Sequence, residues 1–72
     1  AVPFEEKDSV LTLAVMRLPI RLREVILLHY YQGLNVNETA EVLGISQPSV
    51  SNRLKRGREK LREALEGREL DE

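Results

Sequence analysis

Between Gln47 and Arg58 the sequence runs Gln-Pro-Ser-Val-Ser-Asn-Arg-Leu-Lys-Arg-Gly-Arg, with short hydrogen-bonding side chains set ahead of basic ones. On a helix of about 3.6 residues per turn, Ser51, Asn52, Lys55 and Arg56 fall on one face while Val50, Leu54 and Gly57 fall on the other. The chemistry open to such a polar face is hydrogen bonding to the edges of DNA bases. An asparagine amide complements adenine N6 and N7, and a lysine ammonium donates to guanine O6 or N7. Gln47, Ser49, Ser51, Asn52 and Lys55 are therefore the candidate base-reading residues. Arg53, Arg56 and Arg58 suit phosphate oxygens, which fix register without reading sequence, and Asn37, at the start of an earlier segment, is a fourth phosphate candidate.

A bland reading competes with this one. A solvated amphipathic helix also carries alternating charge, and Arg62 with Glu66 has the i,i+4 spacing of a surface pair. What separates the two is the framework that must hold the polar face outward. Ala40, Gly44, Ile45, Val50 and Leu54 have the types and offsets of a helix-turn-helix. Ala40 is small enough for a close helix approach, Gly44 supplies the turn, and Ile45, Val50 and Leu54 face inward.

The rest of the chain reads as helices that complete that framework, with no strand pattern and no internal repeat. A first helix is predicted over residues about 5–17, placing Val10, Leu13, Ala14 and Arg17 on one side with Leu11 and Leu18 nearby. Pro19 stops it and opens a second, about 19–32, whose Leu22, Val25, Ile26, Leu27, Leu28 and Tyr31 make it apolar nearly all round and so the hub of the core. Gly33 and Leu34 are placed to end it in a Schellman arrangement. Asn35 and Glu38 have capping-box spacing, which starts a third helix over about 36–43. Ser46 caps a fourth, about 47–66, with Pro48 in its first turn and Gly67 at its end. Residues 1–67 thus form one domain, and 68–72 an acidic tail.

Composition narrows the alternatives. The 72 residues hold no cysteine, so neither disulfides nor thiolate zinc can staple the fold. The formal charge is only -1, yet Arg53, Lys55, Arg56, Arg58, Lys60 and Arg62 are offset within their stretch by Glu59 alone. His29 is the single histidine and sits among apolar neighbours, which reads as packing or hydrogen bonding rather than metal ligation. Arg21 and Arg23 serve either phosphates or the surface. No nucleophile and base, carboxylate dyad or glycine-rich phosphate loop is visible, so neither catalysis nor a cofactor is expected. No apolar run approaches a membrane span, and the start at Ala1 reads as a soluble, cytoplasmic piece of a longer protein.

The run from Leu18-Pro19 through Arg23-Glu24-Val25, Tyr31-Gln32-Gly33-Leu34, Ala40-Glu41-Val42-Leu43-Gly44-Ile45-Ser46, Ser49-Val50 and Arg53 to Leu61 resembles region 4 of bacterial sigma factors. The extracytoplasmic-function class is the best match, over about Val10 to Leu65. The resemblance implies an all-α, four-helix helix-turn-helix domain of the winged-helix-like DNA-binding superfamily, without a wing. It further implies a monomer that grips the minus 35 promoter element, contacts the β flap of the RNA polymerase core, and is held in check by an anti-sigma factor. Two positions depart from the family pattern. Thr39 replaces a large aliphatic, which implies looser packing of the third helix. Gly57 replaces alanine, which implies a fourth helix weakened by roughly 1 kcal/mol.

Two other functions fit the same residues. One is the output domain of a LuxR-type response regulator, which would dimerise through its last helix. The other is a protein-interaction module for polymerase or an anti-sigma factor, working through Val15, Met16 and Ile20.

Overall fold

Proline restricts the residue before it and presets its own φ, so the chain must leave helical geometry at Leu18 and can restart at once. The structure is a computed structural model that describes the backbone of residues 6–70 and the side chains of 10–67. In it α1 (Glu6–Met16) ends ahead of Pro19 and α2 (Ile20–Ile26) begins just after. Pro19 itself stands outside the helix, at φ -52° and ψ 145°, one residue earlier in the capping order than expected. α3 (Val36–Leu43) and α4 (Gln47–Leu70) complete an all-α arrangement, with no strand among the described residues. The expected first residue of α1, Glu5, and the last two acids of the tail lie outside the described residues.

The second helix is not uniform to Gln32. Leu27–Tyr31 forms a wider turn, in which Gln32 N–H donates to Leu27 C=O at 3.0 Å, five residues back. Gly33 at φ +76° ends it, and Leu34 N–H reaches Leu28 C=O at 3.0 Å, one residue further back than a Schellman closure. His29 secures the widened end: its Nδ1 lies 2.7 Å from Leu34 C=O. A carbonyl oxygen only accepts, so Nδ1 carries the proton and donates. The histidine is thus a structural tie.

The third helix follows its sequence signals closely. Glu38 N–H donates to Asn35 Oδ1 at 2.7 Å, and Asn35 N–H donates to Glu38 Oε1 at 2.9 Å, which closes the capping box. At the other end Gly44 adopts φ +67°, with Ile45 N–H to Ala40 C=O at 3.1 Å and Gly44 N–H to Glu41 C=O at 3.3 Å. That is the Schellman pattern, and only glycine takes its left-handed backbone without strain. The bend it makes turns the chain from α3 into α4.

Val15, Leu18, Leu22, Val25, Ile26, Ala40, Val50 and Leu54 form the buried core, with Val36, Leu43, Ile45 and Leu61 packed at its edge. The hub role of α2 holds, since it packs against α1 and α4 and its widened continuation against α3. The inward face of α1 differs from the expected one. Val15 is buried, whereas Leu13 is 56% exposed. Apolar residues surround most of α1, so their spacing does not select a face, and contact with α2 and α4 decides it. α4 runs through Gly67 to Leu70 rather than stopping at 66, and its 24 residues span about 36 Å. A glycine in a long helix costs about 1 kcal/mol, which is too little to end it.

Thr39 is fully buried, so α3 is not loosely packed at this position, yet its Oγ1 has no hydrogen-bond partner. A buried hydroxyl left unpaired costs about 1–3 kcal/mol. Valine has nearly the same shape without that group. Thr39→Val is therefore expected to raise stability by about 1 kcal/mol, or roughly 4–8 °C in Tm, in a thermal melt followed by circular dichroism. An unchanged or lower Tm would show that the hydroxyl is paired in solution.

Candidate nucleic-acid interface

Ser46 fixes the start of α4. Its Oγ accepts from Ser49 N–H at 3.2 Å and donates to Ser49 Oγ at 2.9 Å, while its carbonyl takes Val50 N–H at 3.1 Å. Val50 and Leu54 are 0% and 3% exposed, and they pin one side of the helix to the core together with buried Gly57. At about 100° per residue, the opposite side is centred near Asn52 and Lys55 and flanked by Ser51 and Arg56. All four are exposed. The structure therefore brings this part of the sequence-predicted set onto one face.

Exposed Glu59, Glu63 and Glu66 continue the same face toward the end of α4. Exposed Arg62 lies among these acids, so positive charge on this face is concentrated in the first three turns.

The remaining candidates occupy distinct positions. Arg53 is half-buried beside the core. Gln47 and Asn37 meet across the bend: Gln47 Nε2 donates to Asn37 Oδ1 at 3.0 Å. Ser49 is half-buried and engaged with Ser46. Arg58 turns away from the polar face, and its Nη1 donates to Tyr30 Oη at 2.9 Å. It borders an apolar groove of about 620 Å³ lined by Leu11, Val15, Ile26, Tyr31 and Leu61. Sequence reasoning grouped Arg58 with its basic neighbours because its partner lies 28 residues away. Of the two roles open to Arg23, phosphate or surface, the structure shows a surface tie: its Nη1 donates to Met16 C=O at 2.8 Å and closes the end of α1.

Among the described residues there is no cluster of three or more His, Cys, Asp or Glu able to hold a metal ion, and no helix long and apolar enough to cross a membrane.

Known proteins share this sequence over most of its length. Residues 9–61 match the family described as Sigma-70, region 4. The chain is similar to the RNA polymerase sigma factor SigZ of Bacillus subtilis, 45% identical over 53 residues that cover 74% of this chain and 30% of the relative. It is 34% identical to the RNA polymerase sigma-E factor of Streptomyces avermitilis, over 93% of this chain and 38% of the relative. With the ECF RNA polymerase sigma factor SigW of Bacillus subtilis it shares 37% identity, over 90% of this chain and 35% of the relative. The chain spans about a third of the length of these relatives. No solved structure matches it significantly.

Proposed function

This chain belongs to the sigma-70 region 4 family, and on that premise we propose that it recognises the minus 35 promoter element and so directs RNA polymerase to its start sites. A region 4 domain binds DNA and is not an enzyme. The observation that carries the proposal is the exposed row Ser51, Asn52, Lys55 and Arg56, centred opposite buried Val50 and Leu54. Rigid packing on one side leaves the other free to enter the major groove with its N-terminal turns. Asn52 and Lys55 then read base edges beside Ser51, with Gln47 and Ser49 at the leading end. Arg53, Arg56 and Asn37 take phosphates, and Arg58 joins them only by leaving Tyr30.

The partners belong to the same proposal. Leu13, Met16 and Ile20 are exposed on the side of α1 and the start of α2, which supports a contact with the β flap of the polymerase core or with an anti-sigma factor. Val15 drops out of that surface because it is buried. Membership of the sigma family sets aside the response-regulator output domain.

Fluorescence anisotropy with labelled duplexes carrying candidate minus 35 sequences tests the DNA face, measured at low salt and then across a salt series. Arg56→Ala is expected to weaken binding to every sequence alike and to reduce the slope of log K against log salt by about 0.9. Lys55→Ala should instead relax preference at one base pair, by about 1 kcal/mol. Binding indifferent to both substitutions would remove this face from the interface.

A further inference from the structure

The hydrogen bond from Gln47 Nε2 to Asn37 Oδ1 joins the first residue of α4 to the first turn of α3. Both side chains are exposed, so the bond contributes little to the core. Its consequence is orientational. A free glutamine amide can turn either its carbonyl or its NH₂ toward a base, and so pairs with several edges. One that has committed an N–H to Asn37 keeps a single N–H and its Oε1. Adenine presents a donor at N6 and an acceptor at N7, which complement that remaining pair, whereas guanine presents two acceptors. Oε1 would then face guanine O6, acceptor against acceptor.

Asn37 is oriented by the same bond. Because its Oδ1 accepts, both N–H groups of Nδ2 are left to donate. They suit a phosphate oxygen, and the adjoining capping box of Asn35 and Glu38 holds the backbone that carries them.

We propose that Asn37 and Gln47 act as one preorganised unit in which Asn37 anchors to the DNA backbone and sets Gln47 to select adenine over guanine at the base pair facing the start of α4. This deepens the reading of α4 as the recognition helix and rests on it. Asn37 is a positioning residue for the choice of base, and Gln47 is the residue that makes it.

The test is selection of duplexes from a pool with a randomised window, using the chain itself, followed by sequencing of the bound fraction. The wild type is expected to show one position at which adenine exceeds guanine by roughly 5- to 150-fold. Gln47→Ala and Asn37→Ala should both flatten that position while leaving the others unchanged. Gln47→Glu has only acceptors, so the preference should move to cytosine, whose N4 donates. Asn37→Asp keeps the acceptor for Gln47, so adenine should persist while affinity for all sequences falls. Circular dichroism checks that each variant folds before its profile is read. Guanine at the position sensitive to Gln47, or an adenine preference that survives Asn37→Ala, would overturn the unit. A profile that responds to Asn52 and Lys55 but nowhere to Gln47 would overturn it too and leave the recognition helix standing. If the wild type enriches no sequence even when bound to the RNA polymerase core, the promoter-reading function falls along with it.

Discussion

Replacing Leu54 with alanine is expected to destabilise the domain by about 2–5 kcal/mol, measured from the urea midpoint of its helical signal. Leu54 is 3% exposed and lies where α4 packs against α2 and α3, so truncation removes buried methyl groups and leaves a void that rigid helices close only in part. A 72-residue domain holds about 4–11 kcal/mol in total, so the loss is a large share of what keeps it folded. DNA binding should fail with folding and recover on moderate cooling. Lys55, the next residue, is exposed, and Lys55→Ala should shift stability by no more than about 0.5 kcal/mol while altering DNA preference. The contrast between neighbours is the test: a Leu54→Ala penalty below that of Lys55→Ala would mean that α4 presents the wrong face to its core.

Local rules carried much of the fold. Asn35, Glu38 and Gly44 act within a few residues of themselves, and α3 with both its ends is where the spacing predicts it. Val50 and Leu54 were legible for the same reason, because a polar face and an apolar row alternate at helical period. The departures arise where a distant partner decides. Apolar spacing does not distinguish a bond four residues back from one five back, so the widened turn at Leu27–Tyr31 carried no signal of its own. α1 is apolar on several sides, and only its neighbours choose Val15 over Leu13. In the candidate site, Ser51, Asn52, Lys55 and Arg56 follow from helical geometry alone. The Asn37 to Gln47 bond and the turning of Arg58 to Tyr30 connect side chains 10 and 28 residues apart, which no local pattern encodes.

Gly57 shows how a position that looks weak in sequence can be set by packing. A Cβ built there would lie 3.0 Å from Ile26 Cγ1, 3.1 Å from Ile26 Cδ1 and 3.9 Å from Leu22 Cβ. The glycine therefore lets α2 and α4 approach, which offsets its low helix propensity. Gly57→Ala gains about 1 kcal/mol of propensity but must displace the end of Ile26 by a few tenths of an ångström. The close atoms belong to the Ile26 side chain and not to backbone, so the alanine variant should stay within about 1 kcal/mol of the wild type. Gly57→Leu has no such outlet, because Leu22 Cβ is fixed to its backbone. The helices must separate, at a cost of about 3 kcal/mol. Separation also tilts α4 and displaces Ser51, Asn52 and Lys55, so on the proposed reading DNA binding should fall further than unfolding alone explains. Ile26→Ala removes the obstructing atoms. In a double-mutant cycle, Gly57→Leu with Ile26→Ala should be less damaging than the sum of the two changes by about 1–3 kcal/mol. Additive losses would mean that the two residues do not touch, and that the close approach of α2 and α4 is not what holds the recognition helix in place.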